Sequence, residues 1–173
     1  MSESTAMNRT RQQLSVYVPN ESAAAIESVR RVADPVQYHL IPAHVTLCRE
    51  DEIDGAGLMA SIAKRLATIH IPPLALGFGA PEIFDGHGLM LNCLAGEAAF
   101  HELRKTVRGL NNIRLQKAHI TLAHPRNSKV NGNVAGVAAM LPAIMSITFH
   151  TIFYIEQEAD QPWRVLQQFT LRG

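Results

Sequence analysis

His44-Val45-Thr46-Leu47 and His119-Ile120-Thr121-Leu122 are the two stretches on which the reading of this chain turns. In an extended strand, residues two apart share a face. His44 and Thr46 therefore point one way, and Val45 and Leu47 the other. His119 with Thr121, and Ile120 with Leu122, divide in the same manner. Each tetrapeptide offers an imidazole and a hydroxyl on one face and an apolar anchor on the other, the layout by which a rigid sheet positions reactive groups. The chain holds 8 His and 9 Thr among 173 residues. Composition alone then yields about 0.4 His-x-Thr pairs, and about 0.04 once Leu must follow. Two copies, each with a β-branched residue in the middle, lie far above chance.

The elements around the motifs repeat as well. Leu14 to Val18 alternates as a strand does, and Asn20 caps a predicted helix from Glu21 to Val32 with Ala24, Ile26, Val29 and Val32 as its apolar face. After the first motif come an acidic loop over Asp51 to Gly57 and an amphipathic helix from Leu58 to Ile69, ended by Pro72-Pro73. Leu74 to Phe84 and Leu89 to Leu94 read as a hairpin turned at Asp85-Gly86-His87-Gly88. A helix over Glu97 to Leu110 leads to the second motif. A short helix over Asn133 to Leu141 and two strands, Ile147 to Ile155 and Trp163 to Leu171, complete the chain. Helix, strand, charged loop and helix thus occur twice, centred on the two tetrapeptides. Residues 1–13 read as a disordered N-terminal arm, and 14–173 as a single bilobal domain.

Hydrophobic residues make up 47% of the chain, enough for one sizeable core, and the formal net charge is +1. That balance argues against a long polyanion lying along a broad surface and favours a small phosphate ligand or a nucleic-acid end. The charge is unevenly spread. Between Glu102 and Glu156 there is neither Asp nor Glu, while Arg104, Lys105, Arg108, Arg114, Lys117, Arg126 and Lys129 fall there. Such a stretch supplies a local positive field. Cys48 and Cys93 lack metal-site spacing, the N-terminus lacks an apolar signal core, and no run is long enough to span a membrane. The expectation is a reduced, cytoplasmic monomer with no membrane partner.

Breaking a phosphate ester requires a proton taken from the nucleophile and one given to the leaving oxygen. Two histidines share that work near neutral pH, and two hydroxyls donate to the non-bridging oxygens as charge builds. His44, His119, Thr46 and Thr121 in one cleft form a complete site without metal or other cofactor. Their joint action predicts a bell-shaped activity profile between roughly pH 5 and 8.

With these residues the chain resembles the 2H phosphoesterases, which carry two His-x-Thr-x motifs about half a chain apart. Leu47 and Leu122 after each Thr, and Ala123 after the second, make it most similar to the 2′-5′ RNA ligase and 2′,3′-cyclic phosphodiesterase branch. The resemblance covers about residues 14–171, with its specificity in the eight motif residues. It implies an α+β fold of two pseudo-symmetric lobes, each an antiparallel sheet with flanking helices, around a central cleft. It further implies opening of 2′,3′-cyclic phosphates on RNA ends or nucleotides to 2′-phosphomonoesters, with 2′-5′ RNA ligation as the branch's other activity. Carried over by position, His44 and His119 are acid and base, and Thr46 and Thr121 bind phosphate. Related ligase-like members often place Arg soon after the second motif's Leu-Ala. Here His124 holds that place, and Arg126 two residues on is assigned the phosphate clamp.

Arg49, Lys117, His124 and Tyr154 are candidate substrate contacts, with Phe84 and His87 as lesser ones. The acidic loop after the first motif favours a small or terminal substrate over long RNA. Two alternatives stand beside the catalytic reading. One is a zinc hydrolase using His44, His119 and His124, although neither H-E-x-x-H nor C-x-x-C occurs. The other is a non-catalytic module that binds a nucleotide or RNA end.

Overall fold

The computed structural model describes residues 9–85, 88–125 and 134–173, with the backbone alone at 134 and 135. In chain order the elements are β1 (Thr10–Tyr17), α1 (Asn20–Ala33), α2 (Pro35–Leu40), β2 (His44–Cys48), α3 (Glu50–Ile53), α4 (Leu58–Thr68), β3 (Leu74–Phe84), β4 (Gly88–Ala95), α5 (Glu97–Arg108), β5 (His119–Ala123), α6 (Val134–Ala138), β6 (Met145–Phe149), β7 (Thr151–Glu158) and β8 (Arg164–Thr170). The strands form two antiparallel four-stranded sheets, ordered β2-β1-β7-β8 and β5-β4-β3-β6. This is the α+β, two-lobed architecture that the resemblance implies. Each motif strand lies at one edge of its sheet, and the two edges meet at the cleft.

The alternation within β2 and β5 determines how they sit. Both strands run half-buried, buried, half-buried, buried, buried. Val45, Leu47 and Ile120 are fully buried and Leu122 nearly so, in one hydrophobic cluster that draws on both sheets. Burying a side chain of that size is worth about 1.5–3 kcal/mol. Four such anchors therefore fix the register of both strands and leave His44, Thr46, His119 and Thr121 on the opposite face.

Helix ends follow local chemistry. Glu21 in the first turn of α1 and Arg30 and Arg31 in its last turn complement the helix dipole. Asp34 caps α2, its carboxylate accepting from Gln37 N at 3.2 Å, and Pro35 opens the helix at a position where no N–H is needed. Gly96, at φ 90°, turns the chain from β4 into α5, and a Cβ there would run into the Ala75 carbonyl. α5 then carries Arg104 into the interior. Its guanidinium is fully buried and donates to Leu47 O at 2.7 Å, to Arg114 O at 2.6 Å and to the Glu52 carboxylate. One side chain from the second half of the chain thereby grips β2, the loop before β5 and α3.

Several sequence expectations shift. Thr10–Gln13 was expected within a disordered arm over residues 1–13, but it belongs to β1 and pairs with Ile155–Glu158 of β7. Residues 1–8 lie outside the described residues. The single strand expected over Ile147 to Ile155 is two strands. β6 pairs with β3 in the second sheet, the chain crosses at His150, and β7 pairs with β1 in the first. The acidic loop contains the helix α3, whose Glu52 is buried and paired with Arg104. The buried face of α1 is Ile26, Val29, Arg30 and Ala33, while Val32 is exposed and Ala24 faces outward. Among the described residues no helix is long and apolar enough to cross a membrane.

Candidate active site

The two motif strands enter the cleft in matching registers. His44 lies opposite Tyr17 and Thr46 opposite Ser15 in the first sheet; His119 lies opposite Asn92 and Thr121 opposite Met90 in the second. All four motif side chains line one cavity of about 520 Å³. The imidazoles are held in the same way. His44 Nδ1 lies 2.8 Å from Pro42 O, and His119 Nδ1 lies 3.0 Å from Lys117 O, in each case the carbonyl two residues upstream. A carbonyl only accepts, so each Nδ1 carries the proton and each Nε2 is left as the working nitrogen. Tyr17 further braces His44 edge-on, with ring centroids 6.4 Å apart.

The surroundings of His44 set its protonation. Burial lowers its pKa, the Pro42 carbonyl opposes this, and the positive charges of Arg30 and His119 lower it again, to about 4. His44 is therefore neutral at pH 7. Arg30 is the residue that sequence reasoning missed here. It is buried at the cavity wall, pairs with Glu27 at 2.8 Å and donates to Ile41 O at 2.8 Å. It anchors the segment that leads into His44. Nothing but its place on the apolar face of a helix marks it in the sequence, and a lone Arg there reads as a surface residue.

Asp34 joins the two lobes at the same cavity. Besides capping α2, its fully buried carboxylate accepts from His124 N at 2.9 Å. The segment after the second motif is thus pinned to the helix before the first. Gln116 Nε2 adds a bridge to Thr46 O at 3.2 Å.

The remaining sequence candidates divide. His124 lines the cavity with the four motif residues. Arg49 is exposed at the start of α3, its backbone N–H bound to Glu52 at 2.9 Å, and it does not line the cavity. Lys117 contributes its carbonyl, while its side chain is exposed elsewhere. Tyr154 does not line the cavity either. It lies opposite Leu14, whose side chain belongs to the core face of β1, and its hydroxyl donates to Gln12 at 2.7 Å. Phe84 is also absent from the lining. Arg126 and His87 lie outside the described residues. Arg11, Gln13, Asp34 and Trp163 are among the further lining residues that the sequence did not single out. Within the basic stretch, four of the described cations are paired with carboxylates, Lys117 is exposed, and Arg126 and Lys129 lie outside the described residues. Arg104 is consumed internally, and Arg114 pairs with Asp51 at 2.8 Å. Among the described residues no three His, Cys, Asp or Glu side chains converge in a way that could hold a metal ion.

No family model matches the chain, and no curated protein matches it. Solved structures do. Escherichia coli LigT complexed with NADP+ is 15% identical, with 96% of this chain and 99% of that one covered and a TM-score of 0.61. Its apo form is 14% identical over the same shares, at 0.62. TT0787 of Thermus thermophilus is 17% identical, with 94% and 98% covered, at 0.60. Other structures of LigT hold 3′-AMP, phosphate or ATP. The chain has the LigT-like fold over nearly its whole length.

Proposed function

We propose that this chain is a two-histidine phosphoesterase of the 2H type that opens 2′,3′-cyclic phosphates, on RNA ends or nucleotides, to 2′-phosphomonoesters without a metal. The observation that carries this reading is the mirrored tethering of His44 and His119, each with Nδ1 bound to an upstream carbonyl and each lining the same cavity beside a threonine. The fold shared with LigT, whose structures accommodate nucleotides and phosphate, supports it.

His44 is assigned as base and His119 as acid. Neutral His44 takes a proton from water through Nε2 while the water oxygen bonds to phosphorus. The bond from phosphorus to O3′ breaks, and O3′ receives a proton from His119 Nε2. Thr46 and Thr121 donate to the non-bridging oxygens, where charge builds. A 5′-hydroxyl in place of water gives a 2′-5′ linkage by the same steps, which is how one site serves both activities of the branch. Chemistry directed at nucleotides fits a cytoplasmic protein, and a monomer suffices for it, since both lobes of the site come from one chain.

The test is a panel of nucleoside 2′,3′-cyclic phosphates and 2′-5′ dinucleotides, with product regiochemistry read by phosphorus NMR. The expected product is the 2′-monophosphate. An inert panel, or a 3′-monophosphate product, overturns the assignment.

The acid–base assignment has its own pH signature. The base must be neutral, and His44 titrates at about 4 instead of the ordinary 6.5. Falling pH therefore removes the base late. kcat/KM, which reports the free enzyme, should hold from pH 7 down to about 5 and fall only below that, with the limb a property of the coupled pair. A measured acid limb well above pH 5 overturns the role of base given to His44.

A further inference from the structure

The cavity extends beyond the two histidines along the same face of β1. Gln13 and Arg11 follow Ser15 at two-residue steps, and both line the cavity. Arg11 lies opposite Gln157 of β7, and its guanidinium donates to the Gln157 side-chain oxygen. Gln157 is itself buried, and its amide nitrogen donates to Gln161 O at 2.9 Å, so the acceptor that holds Arg11 is oriented from behind. The guanidinium carbon then sits 5.3 Å from the centre of the Trp163 ring. Trp163 is fixed from a second side, because its backbone N–H donates to Leu40 O at 2.8 Å, at the end of α2. Among the described residues Arg11 forms no ion pair with a carboxylate.

This end of the cavity therefore presents an indole with a guanidinium over its ring, the cation held by Gln157 and without a carboxylate partner among the described residues. It suits a flat, electron-rich ring, which stacks on indole and on the guanidinium plane alike. Arg11 lies four residues beyond the Ser15–Thr46 pair, roughly 14 Å along the strand. Long side chains reaching back from there leave a span that a nucleoside phosphate bridges, with its phosphate at the histidines and its base at Trp163. Gln13, between the two, donates to Ser15 Oγ at 2.8 Å and keeps its carbonyl oxygen for an amino or hydroxyl group of the ligand.

We infer that Arg11 and Trp163 form a base-stacking subsite, so that the substrates are nucleoside cyclic phosphates or RNA 3′ ends and not base-free cyclic phosphates. The inference rests on the phosphoesterase reading for the word substrate, and on geometry alone for the binding of a base.

Trp163 is the only tryptophan in the chain, so its emission reports directly on the subsite. The full-length protein is titrated with adenosine 2′-monophosphate and, separately, with inorganic phosphate. Quenching that saturates with the nucleotide and is absent with phosphate is expected. Equal responses to both, or none to the nucleotide, overturn the subsite. In a second arm, kcat/KM is compared for adenosine 2′,3′-cyclic phosphate and for ribose 2′,3′-cyclic phosphate lacking a base. Trp163→Ala should lower the ratio of the first to the second by roughly 5- to 100-fold, mainly through KM, and Trp163→Phe should restore most of it. A ratio unmoved by Trp163→Ala overturns the proposal, and if that variant does not fold, Trp163→Phe and the titration of the unmodified protein decide. Quenching by the nucleotide with no turnover of either ester sinks the activity and leaves the subsite. Turnover of both esters with no quenching does the reverse.

Discussion

Replacing either His44 or His119 by Ala should lower kcat for cyclic-phosphate hydrolysis by about 10²–10⁴-fold, the usual loss for a group that transfers a proton in the transition state. Replacing both should cost little more than replacing one, because acid and base act on a single step and their contributions do not add. The loss corresponds to roughly 3–5 kcal/mol of barrier. Ala also removes the tether to Pro42 or Lys117, so a companion variant separates positioning from proton transfer. In His44→Asn the amide nitrogen stands where Nδ1 stood and keeps the hydrogen bond to Pro42 O, but no basic nitrogen remains at the position of Nε2. His44→Asn should therefore be as slow as His44→Ala while folding like the parent by circular dichroism. Rapid turnover by His44→Asn would mean that His44 only shapes the cavity.

The largest stability effect is expected at Arg104. Arg104→Met leaves Glu52, which is 5% exposed, without its closest cation, and it leaves the Leu47 and Arg114 carbonyls without their donor. Removing one partner of a buried pair typically costs about 3–5 kcal/mol. The low end is expected, since Arg114 and Arg108 remain 3.6 Å and 3.8 Å from the Glu52 carboxylate. Arg104→Met combined with Glu52→Gln removes the stranded charge and should recover a good part of the loss. Urea midpoints at constant slope measure both. A single variant within about 0.5 kcal/mol of the parent, the range of an ordinary surface change, would show that the buried pair does not hold the halves together. Because Leu47 is adjacent to Thr46, slower turnover should accompany the destabilisation.

These two sites differ in how visible they are in the sequence. The histidine pair is legible because a strand's two-residue period is local: four consecutive residues suffice to place His and Thr together and the anchors behind them. Arg104 is not, because its partners Glu52 and Leu47 are 52 and 57 residues away. A run of basic residues and a run of acidic ones read as two solvated surfaces, yet folding sets Arg104, Arg108 and Arg114 against Asp51 and Glu52. Arg11 was hidden for a different reason. Thr10 to Gln13 alternates between a cavity face and a rim face, both polar, so the strand carries no hydrophobic period. α2 did announce itself, by Asp34 as cap and Pro35 as first residue, and the signal was masked by the brevity of the helix. The break between β6 and β7 is marked only by a change of phase, from Ile147 and Phe149 to Ile152 with His150 exposed between them, and apolar residues on both sides hide that shift in the sequence.

That crossing at His150 has a consequence for how the chain is made. β7 lies between β1 and β8, so the first sheet lacks an inner strand until residues near 158 are available. A nascent chain emerging from the ribosome can zip β3, β4 and β5 against one another as they appear. β1 and β2, synthesised first, must wait as a two-stranded ribbon, which is marginal in water. The strand order therefore sets completion of the first sheet after the second motif has been synthesised, so the earliest-made motif waits longest for its full set of neighbours.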